Sequence, residues 1–138
     1  MSDQAVSGYA GDLTPQEAWD KIKDGTAVLV DVRTEAEWAH IGRPKSPEGE
    51  PLFIQWNLAG GVPNQAFLGE LEAQAPKDKE LVFLCRSGQR SIAAAEAATA
   101  AGWASYNVLE GFEGVPDRFG ERTVNGWKNS GLPTTIGG

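Results

Sequence analysis

The residues best suited to chemistry lie in one short stretch, Cys-Arg-Ser-Gly-Gln-Arg-Ser, at positions 85–91. It holds the single cysteine of the 138-residue chain, and an arginine lies on each side of Gly88. A loop that enters a helix presents backbone N–H groups and the positive end of the helix dipole, and both attract anions. Because the thiolate is the nucleophilic form of cysteine, this setting favours a reactive Cys85.

The alternative is that Cys85 is an inert residue of the core. A lone cysteine at the end of an apolar run is commonly a small buried hydrophobe. The loop argues against this, since one or two charge-assisted hydrogen bonds supply the roughly 2 kcal/mol that ionisation near neutral pH requires. No separate base is then needed, and His40 is the only imidazole in the chain.

Composition excludes several classes of function. A single cysteine cannot form an intrachain disulfide, a redox pair or a cysteine-based zinc site, so we expect neither a metal nor a cofactor. The net charge of −7 disfavours binding to nucleic acid or to an anionic membrane. Neither a secretory signal nor an apolar run long enough to span a bilayer is evident, so we expect a cytoplasmic protein.

Strands and helices alternate along the chain. Two segments with apolar runs that do not alternate with polar residues predict strands buried on both faces: AVLVDV from Ala27, whose run ends at Asp31, and ELVFLC at 80–85. Residues 104–112 predict a third strand. Thr14, Pro15 and Glu17 predict a capped helix that ends at Gly25. Further helices are predicted from Thr34, over 64–76 and over 91–102, with Trp127 packed on the core near the end.

This alternation predicts an α/β domain with a mainly parallel sheet. In such sheets ligands bind beyond the carboxyl ends of the strands. Asp31 and Cys85 both end a predicted strand, so we expect them at the same edge, with the cysteine in a functional position.

Four segments together resemble a single-domain rhodanese, a sulfurtransferase, in their order and approximate spacing. They are DVRTEAEWAHIG at 31–42, LVFLCRSGQRSIAAAEAATAAGW at 81–103, VLEGFEG at 108–114 and GWKNSGLP at 126–133. The resemblance implies a three-layer domain whose central sheet has five strands and helices on both faces. We expect a flexible arm at residues 1–11 and one rhodanese domain at 12–138.

The resemblance also implies a reaction. Rhodaneses transfer sulfane sulfur from a donor such as thiosulfate to cyanide, a thiol or a carrier protein through a cysteine persulfide. Cys85 would be the nucleophile, and its partners would be a small anionic donor and an acceptor from outside the chain. The substrate-binding loop would comprise Arg86, Ser87, Gly88, Gln89, Arg90 and Ser91.

Several charged residues acquire supporting roles from the same resemblance. Arg86 would bind the donor's sulfonate oxygens, while Arg90 either faces substrate or braces the loop through Asp31 or Glu37; we favour bracing. In the family's Asp-Val-Arg signature, Asp31 would hold the active loop and Arg33 would pair with a nearby carboxylate such as Glu37. His40 would be structural.

Two other classes of function stay open. Phosphatases of the Cdc25 class and arsenate reductases also use a cysteine in an anion-binding loop, but the phosphatase loop has one more residue between cysteine and arginine. The shorter loop here suits a sulfur atom better. Non-catalytic rhodanese-like modules generally lose the cysteine that this chain keeps. The longer charged loop after His40 and the sequence Gly-Phe-Glu-Gly at 111–114 depart from the family pattern.

Overall fold

The computed structural model describes residues 8–46, 51–58, 61–86, 90–109, 111–112, 114, 126–127, 132 and 134–135. The helices are α1 (Pro15–Lys23), α2 (Glu35–His40), α3 (Phe67–Gln74) and α4 (Arg90–Ala100). The strands are β1 (Gly11–Leu13), β2 (Ala27–Asp31), β3 (Arg43–Pro44), β4 (Leu52–Phe53), β5 (Glu80–Leu84), β6 (Ser105–Val108) and β7 (Thr134–Thr135). No helix in this described part is long and apolar enough to cross a membrane.

A five-stranded sheet with the order β1-β6-β5-β2-β4 forms the centre of the domain, and all its neighbouring strands are parallel. The predicted α/β class and the five-stranded sheet are confirmed. Asp31 lies opposite Leu84, and Phe83 lies opposite Asn107. The carboxyl ends of β2, β5 and β6 therefore meet at one edge. β3 and β7 form a separate antiparallel pair.

The helices cover both faces of this sheet. Phe83 packs in one buried cluster with residues of α3 and α4, among them Leu71 and Ala98. Its neighbour Val82 belongs to a second cluster, which includes Ile22 of α1 and Trp127. Because successive side chains of a strand point to opposite faces, the two clusters form the two interfaces of a three-layer domain.

The two capped helices begin where the sequence predicts. In α1 the Thr14 side chain accepts from the Glu17 N–H and the Glu17 carboxylate accepts from the Thr14 N–H, with Pro15 at the first position. Thr34 and Glu37 form the same reciprocal pair at α2. Such caps each stabilise a helix by about 1 kcal/mol. They fix the start of α2, and with it Glu37, next to the carboxyl end of β2.

Several features differ from the sequence expectations or lie beyond them. Residues 1–7 lie outside the described part, and Gly11 is the first residue of β1, so the flexible arm expected at residues 1–11 stays a prediction. β1 and the two-residue strands β3, β4 and β7 were not predicted, since they are too short to show a hydrophobic pattern. Trp127 is fully buried, as predicted.

Candidate active site

Cys85 directly follows β5 at the carboxyl edge of the sheet, and its residue is 1% exposed. Its Sγ atom lies 3.2 Å from Oγ of Ser91 in the first turn of α4. Its carbonyl oxygen accepts a 2.7 Å hydrogen bond from the Phe112 N–H, which follows β6. The thiol is therefore held from two sides, by α4 and by the segment after β6.

The loop between Cys85 and α4 is described only at its ends. Arg86 is exposed next to Cys85, and Arg90 begins α4. Ser87, Gly88 and Gln89 lie outside the described residues, as does the side chain of His40. The substrate-binding role of the loop stays a prediction.

Arg90 forms a two-pronged ion pair with Glu37 of α2. Its Nη1 and Nη2 atoms donate to Oε1 and Oε2 of the carboxylate at 2.8 and 2.9 Å. Burial would raise the pKa of Glu37, but the hydrogen bonds from Arg90 and Thr34 outweigh it and lower that pKa to about 2. The hydrogen bonds to Glu37 raise the pKa of Arg90 and outweigh burial, which would lower it. The pair joins the start of α4 to α2, and the expectation that Arg90 braces the loop through Glu37 stays a prediction.

Arg33 corrects an expectation, because it pairs with Asp31 rather than Glu37. Its Nε donates to both carboxylate oxygens at 3.1 Å and its Nη2 to Oδ2 at 2.8 Å, while Nη2 also donates to the Gly42 carbonyl at 2.7 Å. Both side chains are fully buried. Glu37 was unavailable to Arg33 because its carboxylate already accepts from Thr34 and Arg90.

The Asp31 carboxylate accepts hydrogen bonds from the backbone N–H and the guanidinium of Arg33. Its expected role of holding the active loop stays a prediction, because residues 87–89 lie outside the described part of the chain. The Arg33 guanidinium in turn lies 4.1 Å from the centre of the Phe112 ring, a cation–π contact. Because the Phe112 N–H binds the Cys85 carbonyl, the buried pair supports the cysteine indirectly through Phe112.

Gly111 makes a close approach that the sequence analysis did not predict. Its φ is +63°, and a Cβ atom there would lie 2.5 Å from the Cys85 carbonyl oxygen and 2.6 Å from that of Arg86. Only glycine fits this contact without a shift of the backbone. The Gly-Phe at the end of the third predicted strand was the available signal.

A chain of hydrogen-bonded polar side chains runs from the Cys85 thiol through the sheet. The sequence analysis did not predict the part of it that Asn107 forms. Ser91 Oγ donates to Asn107 Oδ1 of β6 at 2.5 Å, Asn107 Nδ2 donates to Asp12 Oδ1 of β1 at 3.0 Å, and the Tyr9 hydroxyl donates to the same oxygen at 2.9 Å. Burial and the bond to Asp12 raise the pKa of Tyr9 to about 12. The signal for these hydrogen bonds was an asparagine, Asn107, between Tyr106 and Val108 in a predicted strand.

An open cleft of about 730 Å³ lies beside Arg90, between the start of α2 and the segment that follows β4. Both polar and apolar groups line it, from Thr34, Glu35, Ala36, Gln55, Asn57, Leu58, Gly61 and Arg90. In the described part of the chain, no group of histidine, cysteine and carboxylate side chains could hold a metal ion.

A parallel α/β sheet with a cysteine loop entering a helix at its carboxyl edge defines the class of protein. The chain belongs to the rhodanese-like domain family, whose sequence profile matches residues 14–116.

Three relatives illustrate this membership. The crystal structure of Rv0390 from M. tuberculosis is 49% identical, has a TM-score of 0.85, and the match covers 91% of this chain and 97% of that one. Uncharacterized protein RP600 homolog of Rickettsia rickettsii is 36% identical over 114 residues, covering 81% of this chain and 85% of that protein. Thiosulfate sulfurtransferase GlpE of Glaesserella parasuis is 30% identical over 126 residues, covering 91% and 94%.

Proposed function

We propose that this protein is a sulfurtransferase that carries sulfane sulfur on Cys85. The observation that carries the proposal is the position of the cysteine, at the carboxyl edge of the sheet where a loop leads into α4 and a braced arginine begins the helix. A relative of nearly the same length, GlpE, is named a thiosulfate sulfurtransferase, which adds support.

The reaction has two covalent steps. The Cys85 thiolate attacks the sulfane sulfur of thiosulfate, an S–S bond to Sγ forms, and the S–S bond of the donor breaks so that sulfite leaves with the electron pair. The acceptor then attacks the outer sulfur, and Sγ leaves as a thiolate. The product is thiocyanate from cyanide, or a persulfide from a thiol. Such covalent catalysis gives ping-pong kinetics.

Burial of the thiol fits a persulfide carrier. Cys85 is 1% exposed, so an acceptor has little access to Sγ itself. A persulfide places the reactive sulfur about 2 Å farther out, at the length of one S–S bond. The bound sulfur is thereby brought towards the loop, where an external acceptor approaches it.

Arg86 is the side chain that we propose for donor binding. Arg90 uses both terminal nitrogens on Glu37, whereas Arg86 is exposed next to the nucleophile. A guanidinium provides paired donors that suit a sulfonate group. The backbone N–H groups from Arg86 to Ser91 would bind the persulfide and the donor.

The acceptor must come from outside, since the chain has no second cysteine. We propose a thiol or a persulfide-carrier protein as the natural acceptor, with cyanide as a laboratory substitute, in a cytoplasmic setting.

Initial rates with thiosulfate and cyanide varied together test this proposal. We expect parallel double-reciprocal lines, and no turnover in Cys85→Ser. Intersecting lines would contradict a covalent carrier. Absence of turnover together with hydrolysis of a phosphate ester would favour the phosphatase alternative, whereas inactivity on both would favour a regulatory module.

A further inference from the structure

The buried chain from Cys85 to Asp12 contains a residue that nothing in the proposed reaction has yet used. We propose that Asn107, oriented by Asp12, is a positioning residue that competes with the Cys85 sulfur for the single proton of the Ser91 hydroxyl. The inference deepens the proposed function, because the charge on Sγ changes during sulfur transfer.

The direction of each hydrogen bond follows from the chemistry of the groups. The Asp12 carboxylate only accepts, so the amide nitrogen of Asn107 must face it, 3.0 Å away. The amide oxygen of Asn107 then faces Ser91, and this oxygen also only accepts. The hydroxyl proton therefore points to Asn107 across the 2.5 Å contact.

This arrangement leaves a lone pair of Ser91 Oγ facing Sγ at 3.2 Å. A lone pair accepts a hydrogen bond from a protonated thiol but repels a thiolate. When Sγ is ionised, as the attacking nucleophile or as the leaving group, the hydroxyl stabilises the charge only after turning from Asn107 to the sulfur. Asn107 thus favours the neutral sulfur, and the strength of its bond to Ser91 adds to the cost of ionisation.

Burial makes this competition effective. Cys85, Ser91 and Asn107 are 1%, 0% and 1% exposed, so little water reaches them to replace a lost hydrogen bond. Buried polar networks of this kind are costly when one member is left unpaired. Asp12 and Tyr9 anchor the far end of the chain on β1 and the segment before it.

Other charges around Cys85 stay unchanged when Asn107 is substituted. They are Arg86 and Arg90 on the loop and α4, the Asp31–Arg33 pair after β2, Glu37 on α2, and Asp12 with Tyr9 before α1. A shift in the pH dependence of Cys85 reactivity on substitution of Asn107 therefore comes from the Ser91 hydroxyl and not from a change of charge.

The test is the pH dependence of Cys85 alkylation by iodoacetamide, followed by intact mass. In Asn107→Leu the Ser91 proton is released to the sulfur, so the midpoint of the rate profile moves to lower pH by about one unit, equivalent to a tenfold change in ionisation. Asp12→Asn keeps the side-chain shape and lets the Asn107 amide turn. It moves the midpoint of the rate profile in the same direction by a smaller amount.

Ser91→Ala supplies the control background. The shift of Asn107→Leu must vanish when that variant is combined with Ser91→Ala, because the hydroxyl that transmits it is gone. The shift of Asp12→Asn must decrease in the same background to the part that the lost carboxylate charge produces by itself. Undiminished shifts there, or no shift in either single variant, would overturn the inference. Should Asn107→Leu fail to fold, Asp12→Asn and its double variant decide the matter. Alkylation needs no sulfur donor, so this result is independent of whether the protein transfers sulfur.

Discussion

At the scale of single residues, the two arginines that flank the loop differ in their surroundings. Arg90 is half-buried and pairs with the Glu37 carboxylate, whereas Arg86 is an exposed residue next to Cys85. We propose that Arg86 and the loop amides bind the donor's charge. The sequence shows both arginines in the same motif and does not reveal this difference.

Arg86→Ala should reduce kcat/KM for thiosulfate by about 10- to 100-fold, the equivalent of one charge-assisted hydrogen bond of about 1.5–3 kcal/mol. Arg86→Lys should lose less, because it keeps the charge without the paired donors. The midpoint of urea unfolding should not move, since the side chain is exposed. An unchanged kcat/KM in Arg86→Ala would show that Arg86 takes no part in donor binding.

The residue partners of the site were only partly predictable. Cys85, and Glu37 as a possible partner of Arg90, followed from the motif and from the edge rule for parallel sheets. The pairing of Arg33 with Asp31 did not follow from the motif. A sequence shows which carboxylates are near in the chain but not which of them are already paired. Asn107 and Gly111 were missed because each depends on a contact with another strand or loop.

At the scale of elements, β6 and the residues after it support the cysteine loop from behind. Gly111 packs its backbone against Cys85 and Arg86, and the Phe112 N–H binds the Cys85 carbonyl. The Trp127 N–H donates to the Gly111 carbonyl, which ties a distant segment to the same point. The position of the nucleophile is thus determined by a second loop as well as by its own.

Gly111→Ala should displace the start of the cysteine loop and abolish most sulfur transfer, because the added Cβ has no room beside the Cys85 carbonyl. Gly25→Ala is the matched control: its φ of +82° carries a similar backbone strain, of about 1–2 kcal/mol, but the added Cβ meets nothing within 4 Å. We expect Gly25→Ala to lose stability in urea and keep its turnover. Equal turnover in the two variants would show that the contact at Gly111 does not position the loop.

The ion pair between Glu37 of α2 and Arg90 of α4 should make the free energy of unfolding depend on pH in the acidic range. Glu37 has a pKa of about 2 in the folded protein against an ordinary value of 4.5. Its contribution to the free energy of unfolding, up to about 3 kcal/mol, is present above pH 4.5 and is lost as the pH falls towards 2.

Urea unfolding from pH 7 to pH 2 measures this loss. Glu37→Gln should be less stable than the parent at pH 7, and the difference should shrink as the pH falls through this range. Glu35→Gln, a substitution of the exposed neighbour in α2, is the control and should show no such change. A Glu37→Gln difference that stays constant down to pH 2 would contradict the ion pair as the source.

The elements themselves show what local sequence can and cannot determine. The capping boxes at Thr14 and Thr34 and the apolar runs of β2 and β5 were predicted because their signals lie within a few residues. β1 was missed because three residues with one apolar side chain owe their strand conformation to pairing with β6. Short edge strands of this kind depend on the neighbouring strand for their stability.

At the scale of the whole molecule, the proposed anion site lies in an acidic domain. The net charge of −7 would repel a dianionic donor at a distance, so we propose that the loop amides and Arg86 supply the attraction. The fold brings the ends of β2, β5 and β6 to one edge, where α4 begins. Family membership and this edge were predictable from sequence, and the natural acceptor is a proposal for experiment.

The central claim is that Cys85 carries transferable sulfur, and intact mass tests it most directly. The protein is weighed before thiosulfate, after thiosulfate and again after cyanide, beside Cys85→Ser treated in the same way. We predict a gain of one sulfur atom that cyanide removes and that Cys85→Ser never shows. A parent protein that gains no sulfur, or a Cys85→Ser variant that gains it equally, would contradict the account.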